Sequence, residues 1–188
     1  MKGVVFNVLE EFIIAHSDER TYEEIFALCP LKSHQGYVGP GTYPDTDLNS
    51  IIDTTCRRLG LEPDHAVELF GEFLFSRLVN KYPQFISEHH DPLTFLKTVD
   101  EVIHVEVRKL MRDTNLPSIK CTDGAASGVL IVDYQSNRSL CRLMRGLLIG
   151  VGVYFNVPLS ISETQCVRDG ADSCRFDVMN PALSLEAI

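Results

Sequence analysis

The chain has 188 residues, 45% of them hydrophobic and 23% charged, with a formal net charge of −9 at pH 7. That is enough for one domain with a real core, in one or two lobes. The acidic balance argues against nucleic-acid partners, whose recognition depends on neutralising phosphates. The longest apolar run, Leu147 to Val157, is too short to span a bilayer and contains Asn156, so no membrane partner is expected. Six cysteines without a secretory leader after Met1-Lys2-Gly3 read as thiols or metal ligands, which points to a cytoplasmic protein.

Val4, Val5, Val8, Leu9, Phe12 and Ile13 recur at helical spacing and predict a first helix with one apolar face. Thr21-Tyr22-Glu23-Glu24 has the form of a capping box and predicts a short second helix. Gly36 to Pro44 is dense in turn formers and should be a loop. A helix follows from Asp45 to Leu59, stopped by Gly60, and another from Pro63 to Val79. Asp91-Pro92 supplies an N-cap and a first-turn proline for a long helix reaching about Met111. After Pro117 the pattern changes. Ser118 to Thr122 and Gly128 to Gln135 read as strands joined at Asp123-Gly124. Leu140, Leu143, Met144, Leu147, Leu148 and Val151 mark one more amphipathic helix. Leu159 to Thr164 and Cys174 to Met179 read as a hairpin around Asp169-Gly170, and 184–188 should fray. The expected fold is α+β: a helical N-terminal lobe, then a β-β-α-β-β lobe with an antiparallel sheet and a cleft between them.

Tyr134, Ser136 and Arg138 occupy alternate positions. On an extended segment they would share one face and offer two hydroxyls and a guanidinium fork, a comb suited to a dicarboxylate. His104 lies among Val102, Ile103, Val105 and Val107 on the long helix. A buried imidazole needs partners for both nitrogens, and either a backbone carbonyl or a metal can supply one. His16, His34, His65, His89 and His90 sit among polar residues and read as solvated. A flat, dianionic, metal-bearing ligand reconciles the buried imidazole, the rigid corner at Leu116-Pro117 and the comb: haem, with iron on His104 and propionates on Tyr134, Ser136 and Arg138.

With these features in order, the chain resembles the haem nitric oxide/oxygen-binding (H-NOX) family over nearly its whole length. The marks are Met1-Lys2-Gly3, Phe70-Gly71, Ile103-His104-Val105-Glu106-Val107-Arg108-Lys109, Pro117 and Tyr134-x-Ser136-x-Arg138. Each alone is weak; their joint occurrence and order are specific. The resemblance implies a single haem domain over residues 1–188, with a distal lobe over 1–60, a proximal lobe over 61–188 and haem b between them. It implies His104 as the proximal ligand, the comb as propionate clamp, and Pro117 pressing on the porphyrin. Family members that hold dioxygen look to use a distal tyrosine with polar supports. Here that position is Leu143 and the supports are Leu9 and Leu74, with Val5 and Leu147 completing an apolar wall. The implied behaviour is a five-coordinate ferrous haem that binds nitric oxide and carbon monoxide and rejects dioxygen. Tyr37 or Tyr154 could supply an unexpected donor. Rupture of the bond to His104 would signal to a partner in trans, a sensor histidine kinase or a cyclic-di-GMP enzyme, since no output segment is seen. The protein is not expected to be an enzyme.

Cys141, Cys166 and Cys174 form a second candidate centre. Several family members look to bind zinc through three such cysteines and a histidine, whose position is Glu163 here. Zinc on Cys141, Glu163, Cys166 and Cys174, free thiols, and a Cys166–Cys174 disulfide all stay open. Cys29, Cys56 and Cys121 read as packing thiols. The rival functions are a thiol hydrolase, a thiol or zinc redox sensor, and a non-haem small-molecule-binding module.

Overall fold

A computed structural model describes residues 1–33, 36–110 and 114–184. The expected positions His34 and Met111, and the fraying tail beyond residue 184, lie outside the described residues. Helices α1 (Gly3–His16), α2 (Glu19–Leu28) and α3 (Asp45–Leu59) come first. Helix α4 (Pro63–Lys81) and α5 (Pro92–Thr98) follow. A π-helical segment (Val99–Ile103) then leads directly into α6 (His104–Leu110). Strands β1 (Ser118–Asp123) and β2 (Val129–Gln135), helix α7 (Cys141–Tyr154), and strands β3 (Ser160–Gln165) and β4 (Cys174–Met179) complete the lobe, with the short α8 (Pro181–Ser184) after them. The sheet is antiparallel throughout, in the order β1-β2-β4-β3. The α+β expectation therefore holds.

Local chemistry explains the boundaries. Helix α2 starts earlier than the capping-box reading placed it. Asp18, not Thr21, is the cap, and its carboxylate accepts from the Thr21 amide at 2.8 Å. Gly60 ends α3 with φ 68°, a left-handed conformation open to glycine. Asp91 caps α5 as expected, accepting from the Thr94 amide at 2.7 Å. The single long helix expected from there is interrupted by the wide π turn at 99–103, where the His104 amide reaches back to the Val99 carbonyl. The second hairpin carries a 3-10 turn at Val167–Asp169 before Gly170, which has φ 93°.

Two apolar cores fill the molecule. One gathers Phe6, Leu9, Phe12, Ile13, Ile25, Leu48, Ile51, Phe70 and Leu74 with Leu143. The other gathers Phe75, Phe95, Leu96 and the inward residues of the sheet with Met144, Leu148 and Val151 of α7. Helix α4 serves both, with Leu74 and Leu78 packed in the first core and Phe75 and Val79 in the second, and Leu147 packs against both. Helices α4 and α7 lie at backbone contact. A methyl group on Gly71 would collide with the Leu143 carbonyl, and one on Gly146 with the Glu68 carbonyl. Among the described residues, no helix is long and apolar enough to cross a membrane.

Candidate haem site and thiol cluster

His104 opens α6, and its side chain is 12% exposed. Its Nδ1 lies 3.0 Å from Oδ1 of Asp100, in the π segment. The partner on that nitrogen is a carboxylate, and the ring also lies within reach of a backbone carbonyl, that of Pro117. Burial pushes the ring's pKa down, and the bond to Asp100 opposes this; the Pro117 carbonyl acts on the ring in the same direction as Asp100. The corner before β1 thus stands next to the imidazole. Asp100 escaped the sequence reading because an aspartate four residues before a histidine looks like an ordinary helical pair.

The comb is built differently from the single strand face expected. Strand β2 ends at Gln135, so only Tyr134 follows its alternation, buried on the inward face with Leu130 and Val132. Burial raises the Tyr134 pKa, and a hydrogen bond from Ser136 lowers it. Ser136 and Arg138 belong to the turn after the strand, where the Ser136 hydroxyl oxygen accepts from the Arg138 amide at 3.2 Å. The Arg138 guanidinium donates to Asp45 at 2.8 Å and to the Asn115 carbonyl at 2.7 Å. Tyr134, Ser136 and Arg138 are therefore linked, and Arg138 is tied to the segment that carries Pro117.

On the other side, Leu9, Leu74 and Leu143 are buried together, at 2%, 3% and 8% exposure. Val5 and Leu147 pack against the same cluster. Of the two tyrosines considered as donors, Tyr37 stacks on Phe6 at 4.0 Å and meets Phe26 and Tyr43. Tyr154 packs on Phe75 and Phe155 and is 47% exposed. Tyr37 packs against the same apolar core as the five aliphatic side chains, with its hydroxyl buried, whereas Tyr154 lies outside that core. His16 and His65 are exposed as expected, whereas His89 is half-buried against Phe95, ring centres 5.5 Å apart.

The thiols converge. Sγ of Cys141 lies 3.6 Å from that of Cys166, which lies 3.9 Å from that of Cys174. With a carboxylate oxygen of Glu163, all four ligand atoms fall within 4.8 Å of one another. No disulfide joins these cysteines, and burial pushes all three thiol pKa values up. Arg142 holds Oε2 of Glu163 at 3.1 Å. The other oxygen is buried without a geometrically satisfied hydrogen bond, although the carboxylate is close enough to raise the Cys166 thiol pKa. The cluster adjoins the comb: Cys174 is the cross-strand partner of Tyr134.

Comparison with known proteins gives the family and the fold. Residues 2–163 match the sequence model of the family described as Haem-NO-binding. An H-NOX protein from S. oneidensis, solved in its Fe(II)NO ligation state, is 30% identical over 95% of this chain and 98% of that one, with a TM-score of 0.89. The H-NOX from Shewanella woodyi, in an Fe(II)CO state, is 29% identical over 100% of this chain and 98% of that one, with a TM-score of 0.84. The H-NOX protein from K. algicida, at 24% identity, 95% and 96% coverage and a TM-score of 0.85, shares the fold. No curated protein matches the chain significantly.

Proposed function

The chain belongs to the haem-NO-binding (H-NOX) family, whose domains are haem-based gas sensors, and from that premise we propose that it is a nitric oxide sensor selective against dioxygen. The residues present fit the cofactor. A half-buried imidazole has one nitrogen committed to a carboxylate, and an arginine fork stands at the adjoining turn. Haem b would supply a ferrous iron able to take nitric oxide or carbon monoxide as a ligand.

His104 would hold the iron through Nε2. Tyr134, Ser136 and Arg138 would hold the propionates, and Pro117 would press on the porphyrin. Residues 1–60 would form the distal lobe and 61–188 the proximal one. The selectivity rests on one observation: the side chains at the three donor positions, Leu9, Leu74 and Leu143, are aliphatic and buried in one cluster. Such a wall excludes water and offers bound dioxygen no hydrogen bond. Because His104 opens α6, a change at its ring is transmitted to that helix. A gas can shift the protein only by favouring one conformation over another, and the bond to His104 provides that difference. The output is regulation in trans of a histidine kinase or a cyclic-di-GMP enzyme, in the cytoplasm.

The test is the visible spectrum of the reduced, haem-reconstituted protein in nitric oxide, carbon monoxide and air. A five-coordinate ferrous spectrum that responds to the first two gases and forms no oxygen complex is expected. A stable oxygen complex overturns the selectivity.

A second reading concerns the thiol cluster. The buried, incompletely bonded Glu163 oxygen beside three converging sulfurs supports a closed structural zinc site made by Cys141, Glu163, Cys166 and Cys174.

A further inference from the structure

An imidazole that ligates iron through one nitrogen must present that nitrogen unprotonated and pointing at the metal. The other nitrogen decides both conditions through the hydrogen bond it makes. Here that partner is Asp100 at 3.0 Å. The two side chains are 12% and 25% exposed, so the bond is partly shielded from water. Asp100 lies in the π turn at Val99–Ile103, and His104 follows it directly, its amide bonded back to the Val99 carbonyl. Lys97, in the preceding helix, is engaged by Asp123 at 2.5 Å, and Arg108, in α6, is the cation that bears on the His104 ring. Glu101, next to Asp100, is exposed.

Resting on the haem reading above, we propose that Asp100 is the positioning residue of the haem site: its carboxylate fixes the His104 tautomer and strengthens the bond from Nε2 to iron. An anionic acceptor on Nδ1–H makes the imidazole a better electron donor than a neutral acceptor does. A stronger bond to iron would make His104 slower to release in nitric oxide. Asp100 thereby sets how readily the signal is given, without touching the gas.

The experiment is resonance Raman spectroscopy of the reduced, haem-loaded protein, reading the iron–histidine stretch, paired with stopped-flow measurement of His104 release after nitric oxide. Asp100→Asn keeps the shape and removes the charge; Asp100→Ala removes the acceptor; Glu101→Gln removes a neighbouring exposed charge. The stretch should fall from wild type to Asp100→Asn to Asp100→Ala, with Glu101→Gln at the wild-type frequency. His104 release should quicken about tenfold in Asp100→Ala. Wild-type frequencies in both Asp100 variants, or an equal shift in Glu101→Gln, would overturn the role of Asp100. A wild-type protein without the stretch, or its persistence in His104→Gly, would overturn the haem reading itself.

Discussion

Arg138 and Asp45 are 93 positions apart in the chain and meet side chain to side chain, Nε to Oδ2 at 2.8 Å. The other oxygen of Asp45 accepts from the amine of Met1 at 2.6 Å. One carboxylate at the start of α3 therefore joins the start of α1 to the turn after β2. Burial pushes the Asp45 carboxyl up, but the bonds from the N-terminus and Arg138 outweigh it and leave the pKa below the ordinary value.

The sign of the resulting pH dependence follows. A carboxyl with a lowered folded-state pKa stabilises the fold above its unfolded value, about 3.9. That contribution is lost as pH falls through the folded value. Asp45→Asn should therefore be less stable than wild type at pH 7, and the two should converge in acid below about pH 4. At 38% exposure the carboxylate is screened, so the loss should stay below about 1 kcal/mol. Urea unfolding at several pH values measures it; a difference that persists undiminished in acid would contradict the ion-pair account.

The apolar wall makes a second prediction. Leu143 sits in α7 among Leu9, Leu74 and Phe70, at 8% exposure. Leu143→Tyr brings a hydroxyl donor into that cluster. If the missing donor is what prevents dioxygen binding, this variant should form an oxygen complex that wild type does not, visible in air-equilibrated spectra. Overpacking should cost about 1–3 kcal/mol of stability, so folding is checked by thermal unfolding alongside. A well-folded variant that still forms no oxygen complex would show that selectivity arises elsewhere.

Periodicity and capping made most of this architecture readable from the residues. The apolar stripe of α1, the Gly60 stop and the Asp91-Pro92 start are local signals, and each stands where expected. What escaped was non-local or depended on winding. Asp18 outcompeted Thr21 because its carboxylate reaches the Thr21 amide. The π turn before His104 leaves no mark in apolar spacing, and with it went Asp100. The alternation of Tyr134, Ser136 and Arg138 suggested one strand face, but the strand ends at Gln135, because pairing with β1 runs only to Ser118 opposite that residue. The approach of Cys166 to Cys174 was legible from the hairpin, and Cys141 and Glu163 joined them through the family resemblance; the Arg142 grip on Glu163 was not legible.

The contact between α4 and α7 predicts a large effect from a small change. A Cβ at Gly146 would run into the Glu68 carbonyl and the Gly71 Cα. Both neighbours are backbone atoms in helices and cannot swing aside. Gly146→Ala should therefore destabilise the fold by about 1–3 kcal/mol, read as a lowered thermal midpoint, although alanine favours helix over glycine by about 1 kcal/mol. A variant as stable as wild type would mean that the two helices separate more easily than this packing implies.

The thiol cluster gives the last prediction. Burial holds the three thiol pKa values above the ordinary range, so a metal must displace protons to bind, and affinity should rise with pH. The protein should take up one zinc ion per chain, and Cys166→Ser, which removes the central sulfur, should abolish this. Arg142 fixes Glu163 from behind at 3.1 Å. Arg142→Gln should consequently weaken zinc by about 10–100-fold, the usual cost of losing a group that orients a ligand, and competition against a chromophoric chelator measures it. Unchanged affinity in Glu163→Gln would remove the carboxylate from the ligand set. A wild-type protein that takes up no zinc would remove the metal altogether and leave the Cys141 and Cys166 sulfurs, 3.6 Å apart, as a thiol pair.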